Sequence, residues 1–356
     1  MQIPPILSTS PDSDADDLID DALASTVDAA DEAIERRQCE VGTDGQGERL
    51  DRFLADALPE FSRSHVQQLL SQACVQCVWP QARAVDKPSQ KVRLGERYEV
   101  VLRPTAQSQA FRPESMPLHV VYEDAHLRVI HKPAGLVVHP APGNWSGTLL
   151  NGLLALDPQA STLPRAGIVH RLDKDTSGLM VVARTRPTMD ALVALIAARE
   201  VHREYLAVGH QAWRGEPTIE VHDAIGRDPR NRLRMAVVDL ARQSGKTAHT
   251  TLHALYSTDT ACVVHCTLHT GRTHQIRVHM AHCGHPLLGD ALYGGPMNLG
   301  ITRQALHACR LHFEHPITKQ ALRFDAPIDA VHTADLFALI QAQGLQPGLD
   351  AWHQQR

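Results

Sequence analysis

Leu50, Phe53, Leu54 and Leu58 recur at the three- and four-residue spacing of an amphipathic helix, and Pro59 ends the turn that follows. Ser62 then stands where a hydroxyl caps a second helix, carrying Val66, Leu69 and Leu70. Residues 93–102 end with Tyr98, Val100 and Leu102 at alternate positions, the period of a strand. Beyond a proline-bounded polar stretch, Val120, Val121 and residues 127–130 predict strands about a turn at Glu123-Asp124. Lys132-Pro133-Ala134-Gly135 breaks the chain before a short strand at 136–138. Residues 148–156 and 189–198 have helical spacing. Residues 167–172 and 179–183 predict two strands around a polar loop, and 205–208, 247–256 and 262–269 predict further strands. Residues 273–283 predict a helix capped by Thr273 and stopped by Gly284 and Pro286. Strands with scattered helices, in no regular βαβ rhythm, point to an α+β fold.

These elements divide the chain into a small αβ module at 47–103, a linker at 104–117, a large domain at 118–345 and a C-terminal tail at 346–356. Residues 1–46 are rich in Asp, Ala and Ser, with too little apolar surface to offset ordering entropy; they are expected to form a disordered tail, with a short helix around 16–34.

Charge sharpens this division. The 356 residues carry a formal net charge of −5, but residues 1–46 hold twelve acids against two bases, leaving 33 bases against 28 acids in the remainder. An acidic tail on a mildly basic, histidine-rich body permits a polyanionic partner without requiring one. No apolar run approaches a membrane span, and the N-terminal residues lack a signal-peptide core, so a cytoplasmic protein is expected. Seven cysteines in no framework spacing read as free thiols.

Three stretches could carry chemistry. In residues 167–184, His170, Arg171, Asp173, Lys174 and Asp175 crowd a loop between two apolar runs. Asp173 could serve there as nucleophile or general base, or these charges could simply pair with one another. In residues 269–285, Arg272 stands at a helix start, where a phosphate or carboxylate could sit or ordinary capping suffice, and Arg277 lies off the apolar stripe of Ile276, Met280 and Cys283. Tyr205 opens an apolar strand, so its ring is expected to be buried and its hydroxyl to need a partner. His274, His279, His282 and His285 match no zinc spacing, Cys74 and Cys77 form a lone CxxC, and no metal is expected. Walker and GxGxxG loops are absent.

Three motifs occur in order: His170-Arg171-Leu172-Asp173, Arg203-Glu204-Tyr205, and Gly271-Arg272-Thr273-His274-Gln275-Ile276-Arg277. With His131-Lys132-Pro133 and Gly289-Asp290-Ala291-Leu292-Tyr293-Gly294-Gly295, they resemble the RluA-type pseudouridine synthases over about residues 47–340. Arg49-Leu50-Asp51, Ser62-Arg63-Ser64 and Gly95-Glu96 resemble an S4 RNA-binding domain, although Val75-Gln-Cys-Val-Trp-Pro80 replaces its usual valine–asparagine–glycine turn. The resemblance implies a catalytic domain on a mixed, largely antiparallel sheet, preceded by the small S4-like domain. It implies isomerisation of uridines in large-subunit (23S) ribosomal RNA, free or in a pre-ribosomal particle, without a cofactor. It places Asp173 at the catalytic position, Arg277 as its ion-pair partner and Tyr205 against the target base. Arg171, Lys174 and Arg272 would contact RNA, as would Arg49 and Arg63 in the small domain. No membrane contact and a monomeric state complete these expectations.

Overall fold

The computed structural model describes residues 35–102, 110–141, 143–231, 233–297 and 300–354. They fall into two units, one within residues 23–109 and one beginning at Ala110. The helix expected around 16–34 lies outside the described residues, as do residue 103 of the small module and 104–109 of the expected linker.

In the small unit, helices α1 (Leu50–Ala57) and α2 (Arg63–Ser71) form as their spacing predicts, and the Ser62 hydroxyl accepts from His65 N at 3.3 Å to cap α2. They join a four-stranded antiparallel sheet made of β1 (Glu35–Glu40), β2 (Val75–Trp79), β3 (Arg83–Ala84) and β4 (Arg97–Leu102), in the order β1-β4-β2-β3. Leu50, Leu54, Leu69, Leu70, Tyr98 and Val100 are buried together, each apolar side chain contributing about 1.5–3 kcal/mol. Strand β1 corrects the expected tail boundary at 46. Glu-Arg-Arg-Gln-Cys-Glu buries only Cys39 and shows no apolar alternation, and its order comes from backbone pairing with β4, sixty residues away in sequence.

The large unit is built on a nine-stranded sheet. Its strands are β5 (His119–Glu123), β6 (Leu127–Lys132), β7 (Ser177–Ala183), β8 (His202–His210), β9 (Thr218–Val221), β12 (Thr250–Ser257), β13 (Ala261–Leu268), β14 (Leu306–Glu314) and β15 (Ala321–Asp325); β10 (Ile225–Arg227) and β11 (Met235–Val237) form a separate ribbon. The order is β5-β6-β7-β14-β8-β13-β12-β9, with β15 also on β14. Among the described residues, only β7 and β14 pair in parallel, with His307 opposite Ser177 and Ala308 opposite Gly178. The fold is thus the mixed, largely antiparallel α+β arrangement expected.

Both faces of the sheet are covered, which is why β7 is buried along its whole length. Helices α3 (Leu149–Leu156) and α5 (Gln275–His282) pack with Met180, Val182, Tyr205 and Ala207 on one face. The opposite face takes α4 (Arg186–Ala197) against Leu179 and Val181, and α6 (Ala334–Ala342) and α7 (Gln346–Gln354) against Leu206 and Val208. Helix α7 replaces the expected C-terminal tail, because Leu349 and Trp352 are fully enclosed there. Residues 110–117, expected as linker, lie on the large unit: Asn151 Nδ2 donates to the carbonyls of Ala110 and Arg112 at 2.9 and 2.8 Å. All seven cysteines are free thiols, and among the described residues no helix is long and apolar enough to cross a membrane.

Residues 167–172 are not the strand expected. Arg165, Ala166 and Gly167 turn the chain through three successive left-handed positions, and Ile168 makes only an isolated bridge to Val182. A Cβ on Gly167 would fall 2.0 Å from the Ala183 carbonyl oxygen, so glycine is required for this approach. The Val181 N–H donates to His170 Nε2 at 3.0 Å, so an imidazole takes the place of a neighbouring strand.

Candidate active site

The polar loop after His170 leads into β7, and its shape is set from below. Lys132, at the end of β6, is buried, and its Nζ donates to the carbonyls of Pro133, Leu136 and Lys174 at 2.8, 2.9 and 2.9 Å. The bond to Lys174 ties the residue next to Asp173 to the sheet. Burial pulls the Lys132 pKa down to about 7, against the opposing pull of Asp173 and Asp175. His170 is buried and accepts from Val181, and burial holds its pKa at about 3, so the ring is neutral and serves as a spacer.

Helix α5 supplies the second wall. Its start differs from expectation: His274, not Thr273, is the N-cap residue, in a left-handed conformation at φ 59°, without a side-chain cap. Gln275 organises the turn instead. Its Oε1 accepts from Arg272 N and Thr270 Oγ1 at 3.0 and 2.7 Å, and its Nε2 donates to the His249 carbonyl and Thr250 Oγ1 at 3.0 and 2.8 Å.

Within the first turn of α5, Arg277 donates from Nη1 to Asp173 Oδ2 at 3.0 Å. The other side of the guanidinium binds Asp290, Nε to Oδ2 at 2.7 Å and Nη2 to Oδ1 at 2.9 Å. Burial alone would lower the Arg277 pKa; the two carboxylates, Asp290 foremost, outweigh it and raise it further. The Tyr293 ring lies 5.0 Å from Arg277 Cζ, and its hydroxyl accepts from Met235 N and meets His274 Nδ1, both at 2.9 Å. Burial keeps His274 below its usual pKa, hence neutral, with Nε2 3.9 Å from Asp173 Oδ2.

A cavity of about 120 Å³ opens beside this pair, lined by Arg171, Asp173, Arg203, Tyr205, Leu268, Arg272, His274, Arg277 and Leu306 among others. Asp173, Tyr205 and Arg277, brought together here, come from a loop, a strand and a helix. The Tyr205 hydroxyl was expected to need a partner; it has no protein hydrogen bond among the described residues, and burial pushes its pKa up to about 12. Arg171 is exposed at the rim, and Arg272 is buried with Nε donating to the Thr247 carbonyl at 3.0 Å. Lys174 is exposed and is not among the lining residues.

In the small unit, Arg49 and Arg63 both bind the buried Asp51, at 3.1 and 3.0 Å, while about half of each side chain stays exposed. The sequence motifs assign no role to Asp290, Tyr293, Lys132 or Arg203. The signal for Asp290 was an acid flanked by small residues after the arginine helix.

The histidines of the α5 region do not converge on one point. His279 binds Thr250 Oγ1 and the Asp223 carbonyl, and His285 binds the His210 carbonyl. Among the described residues, Glu220, His249 and His269 form the single group with metal-capable atoms within 4.8 Å, and none lines the cavity. The His249 and His269 rings stack 3.9 Å apart at 13°, so one ion cannot lie in both ring planes.

Residues 126–282 match the RNA pseudouridylate synthase family model. The chain is 45% identical over 362 residues to the ribosomal large subunit pseudouridine synthase D of Neisseria meningitidis serogroup A, covering 97% of this chain and 90% of that protein. It is 45% identical over 305 residues to the protein of the same name from Xanthomonas campestris pv. campestris, covering 82% and 89%. Among solved structures, human RNA pseudouridylate synthase domain containing 1 aligns with a TM-score of 0.48 at 26% identity, covering 65% of this chain and 97% of that one. With an aspartate–arginine pair and a tyrosine around one cavity, and with this identity over nearly its whole length, the chain belongs to the RluA family of pseudouridine synthases, isomerases that convert uridine to pseudouridine.

Proposed function

We propose that this enzyme isomerises specific uridines of large-subunit (23S) ribosomal RNA, with Asp173 as the catalytic carboxylate. The observation that carries the reading is Asp173 held by Arg277 at 3.0 Å on the wall of the cavity that Tyr205 also lines. The reaction breaks the N1–C1′ bond, turns the base and joins C5 to C1′; C5 loses a proton and N1 gains one. No electrons are exchanged with another molecule and no group is added, so side chains suffice without a cofactor.

Asp173 acts at the sugar or the base, by attack on C1′, attack on C6, or assisted elimination. Arg277 keeps it ionised and aimed. The uridine must leave its stack to reach the cavity, and the Tyr205 ring is the surface on which the base rests. Arg171 at the rim and Arg272 on the wall suit the flanking phosphates, and Lys174 lies near enough in the loop to join them.

The small unit acts as an S4-type RNA-binding domain, with the half-exposed Arg49 and Arg63 toward phosphates. The enzyme works as a cytoplasmic monomer on ribosomal RNA or a pre-ribosomal particle. The similarity to proteins named for the ribosomal large subunit supports that substrate. Mapping pseudouridine in ribosomal RNA from cells with and without the gene tests the proposal, together with conversion of the lost sites by purified protein. Unchanged maps would refute the substrate assignment.

A further inference from the structure

Arg203 lies on β8 with its side chain on the cavity face, two residues before Tyr205 and only 8% exposed. Burying a cation is unfavourable unless its charge is compensated, and four other buried arginines of the large unit each have a carboxylate partner. Arg128 binds Glu123, Arg277 binds Asp173 and Asp290, Arg303 binds Asp335, and Arg310 binds Glu204 and Asp325. Arg203 has no carboxylate partner among the described residues, and its Nε is buried without any hydrogen-bond acceptor. The adjacent Glu204 cannot serve, because alternation along the strand turns it to the opposite face, where His265 and Arg310 hold it. The guanidinium rests against Gly271: a Cβ there would lie 2.9 Å from Nη1, so this glycine leaves it room.

We infer that Arg203 is a further catalytic residue, the fixed cation that receives the uracil carbonyl oxygen on which negative charge gathers during the reaction. The inference rests on the proposed function and holds for each route open to Asp173. Attack at C1′ and assisted elimination both send the N1–C1′ electron pair into the base, where it spreads to the carbonyl oxygens. Attack at C6 pushes an electron pair from the C5–C6 double bond to the same carbonyl system. A charge aimed in advance at that oxygen stabilises the transition state without reorganising. Its depth beside Tyr205 favours the base over a phosphate, which stays on the backbone outside. The missing partner in the free enzyme is then the substrate itself.

The experiment uses the full-length enzyme and its Arg203→Met and Arg203→Lys variants on one ribosomal RNA transcript. It measures single-turnover pseudouridine formation, RNA affinity and thermal melting. Arg203→Met is expected to lose about 10²–10³-fold in rate, the usual effect of removing one charge-stabilising donor. Its RNA affinity should stay close to wild type. Its melting temperature should hold or rise, because an uncompensated charge has been removed, and Arg203→Lys should recover part of the rate. Near-wild-type turnover in Arg203→Met would overturn the inference, and so would a clear fall in its melting temperature together with no rescue by lysine. So would a loss confined to RNA affinity that wild-type enzyme also shows on RNA with neutral methylphosphonate links beside the target, since that places the guanidinium on the backbone. A wild-type enzyme that forms no pseudouridine on this RNA defeats the functional reading as well; an active wild type with an equally active Arg203→Met defeats only the inference.

Discussion

Asp290 grips Arg277 through two parallel hydrogen bonds, 2.7 Å to Nε and 2.9 Å to Nη2, and so leaves only Nη1 to reach Asp173. The guanidinium is thereby fixed in one rotamer between two carboxylates. Removing Asp290 frees one side of a buried cation. Asp290→Ala is expected to lower stability by about 3 kcal/mol and to slow turnover through misplacement of Arg277. Denaturant melts and single-turnover rates check this. Unchanged values in both would mean that Arg277 needs no second carboxylate.

Asp173→Asn keeps the shape of the side chain and removes its charge. Turnover is expected to fall at least about 10³-fold, while ribosomal RNA affinity changes little, because the binding groups are cations. Asp175→Asn, in the same loop, should retain substantial activity. A well-folded Asp173→Asn enzyme with near-normal turnover would refute Asp173 as the catalytic carboxylate.

Lys132 sets a pH dependence. Its folded pKa of about 7 lies below that of an unfolded lysine, so between the two the unfolded chain holds the extra proton. Stability from this group therefore rises with pH above about 7 and is least below it, with a slope of at most about 1.4 kcal/mol per pH unit. Lys132→Met should flatten that slope and loosen the Asp173 loop. Urea melts between neutral and mildly alkaline pH measure it, and an identical slope in the variant would assign the effect elsewhere.

Arg49 and Arg63 have two attachments to separate. Both bind Asp51, which the Arg49 bond above all holds well below the usual carboxylate range. Arg49→Gln with Arg63→Gln should weaken ribosomal RNA binding and reduce the salt slope by about one unit per lost phosphate contact. The double variant should also melt earlier, because Asp51 loses its cations. Lower stability with an unchanged salt slope would confine the two arginines to a structural role.

The pairing of β1 with β4 predicts a difference between two truncations. Removing residues 1–34 should leave turnover within about twofold of the intact enzyme. Removing residues 1–46 takes away β1 and exposes the edge of β4, and should destabilise the small unit. Equal melting profiles for the two would show that β1 adds nothing to stability.

What the sequence conveyed about this fold was mostly local. Ser62 before α2, the helical run after Thr148 and the apolar run of β7 carry their signals within a few residues. Strand β1 and helix α7 do not. One is ordered by a distant partner strand, the other by Trp352 and Leu349 entering a core formed with β8 and β13, where Gly348 lets Val263 and Tyr256 approach. The site divides in the same way. The motifs carried Asp173, Tyr205 and Arg277 into one proposal. The meaning of Asp290 and Arg203 depends on which cations have carboxylates and which do not, and that is decided only when strands and helices meet.

The parallel pairing of β7 with β14 has a consequence for biogenesis. Strand β14 (Leu306–Glu314) lies between β7 and β8, which end more than ninety residues earlier, and Leu306 at its start lines the cavity. As the polypeptide leaves the ribosome, every other strand on the sheet path, together with Asp173, Tyr205 and Arg277, emerges before the one that joins the two halves. The nascent chain therefore carries all three of these residues before it can assemble them, and the complete cavity must wait until its last wall has been synthesised.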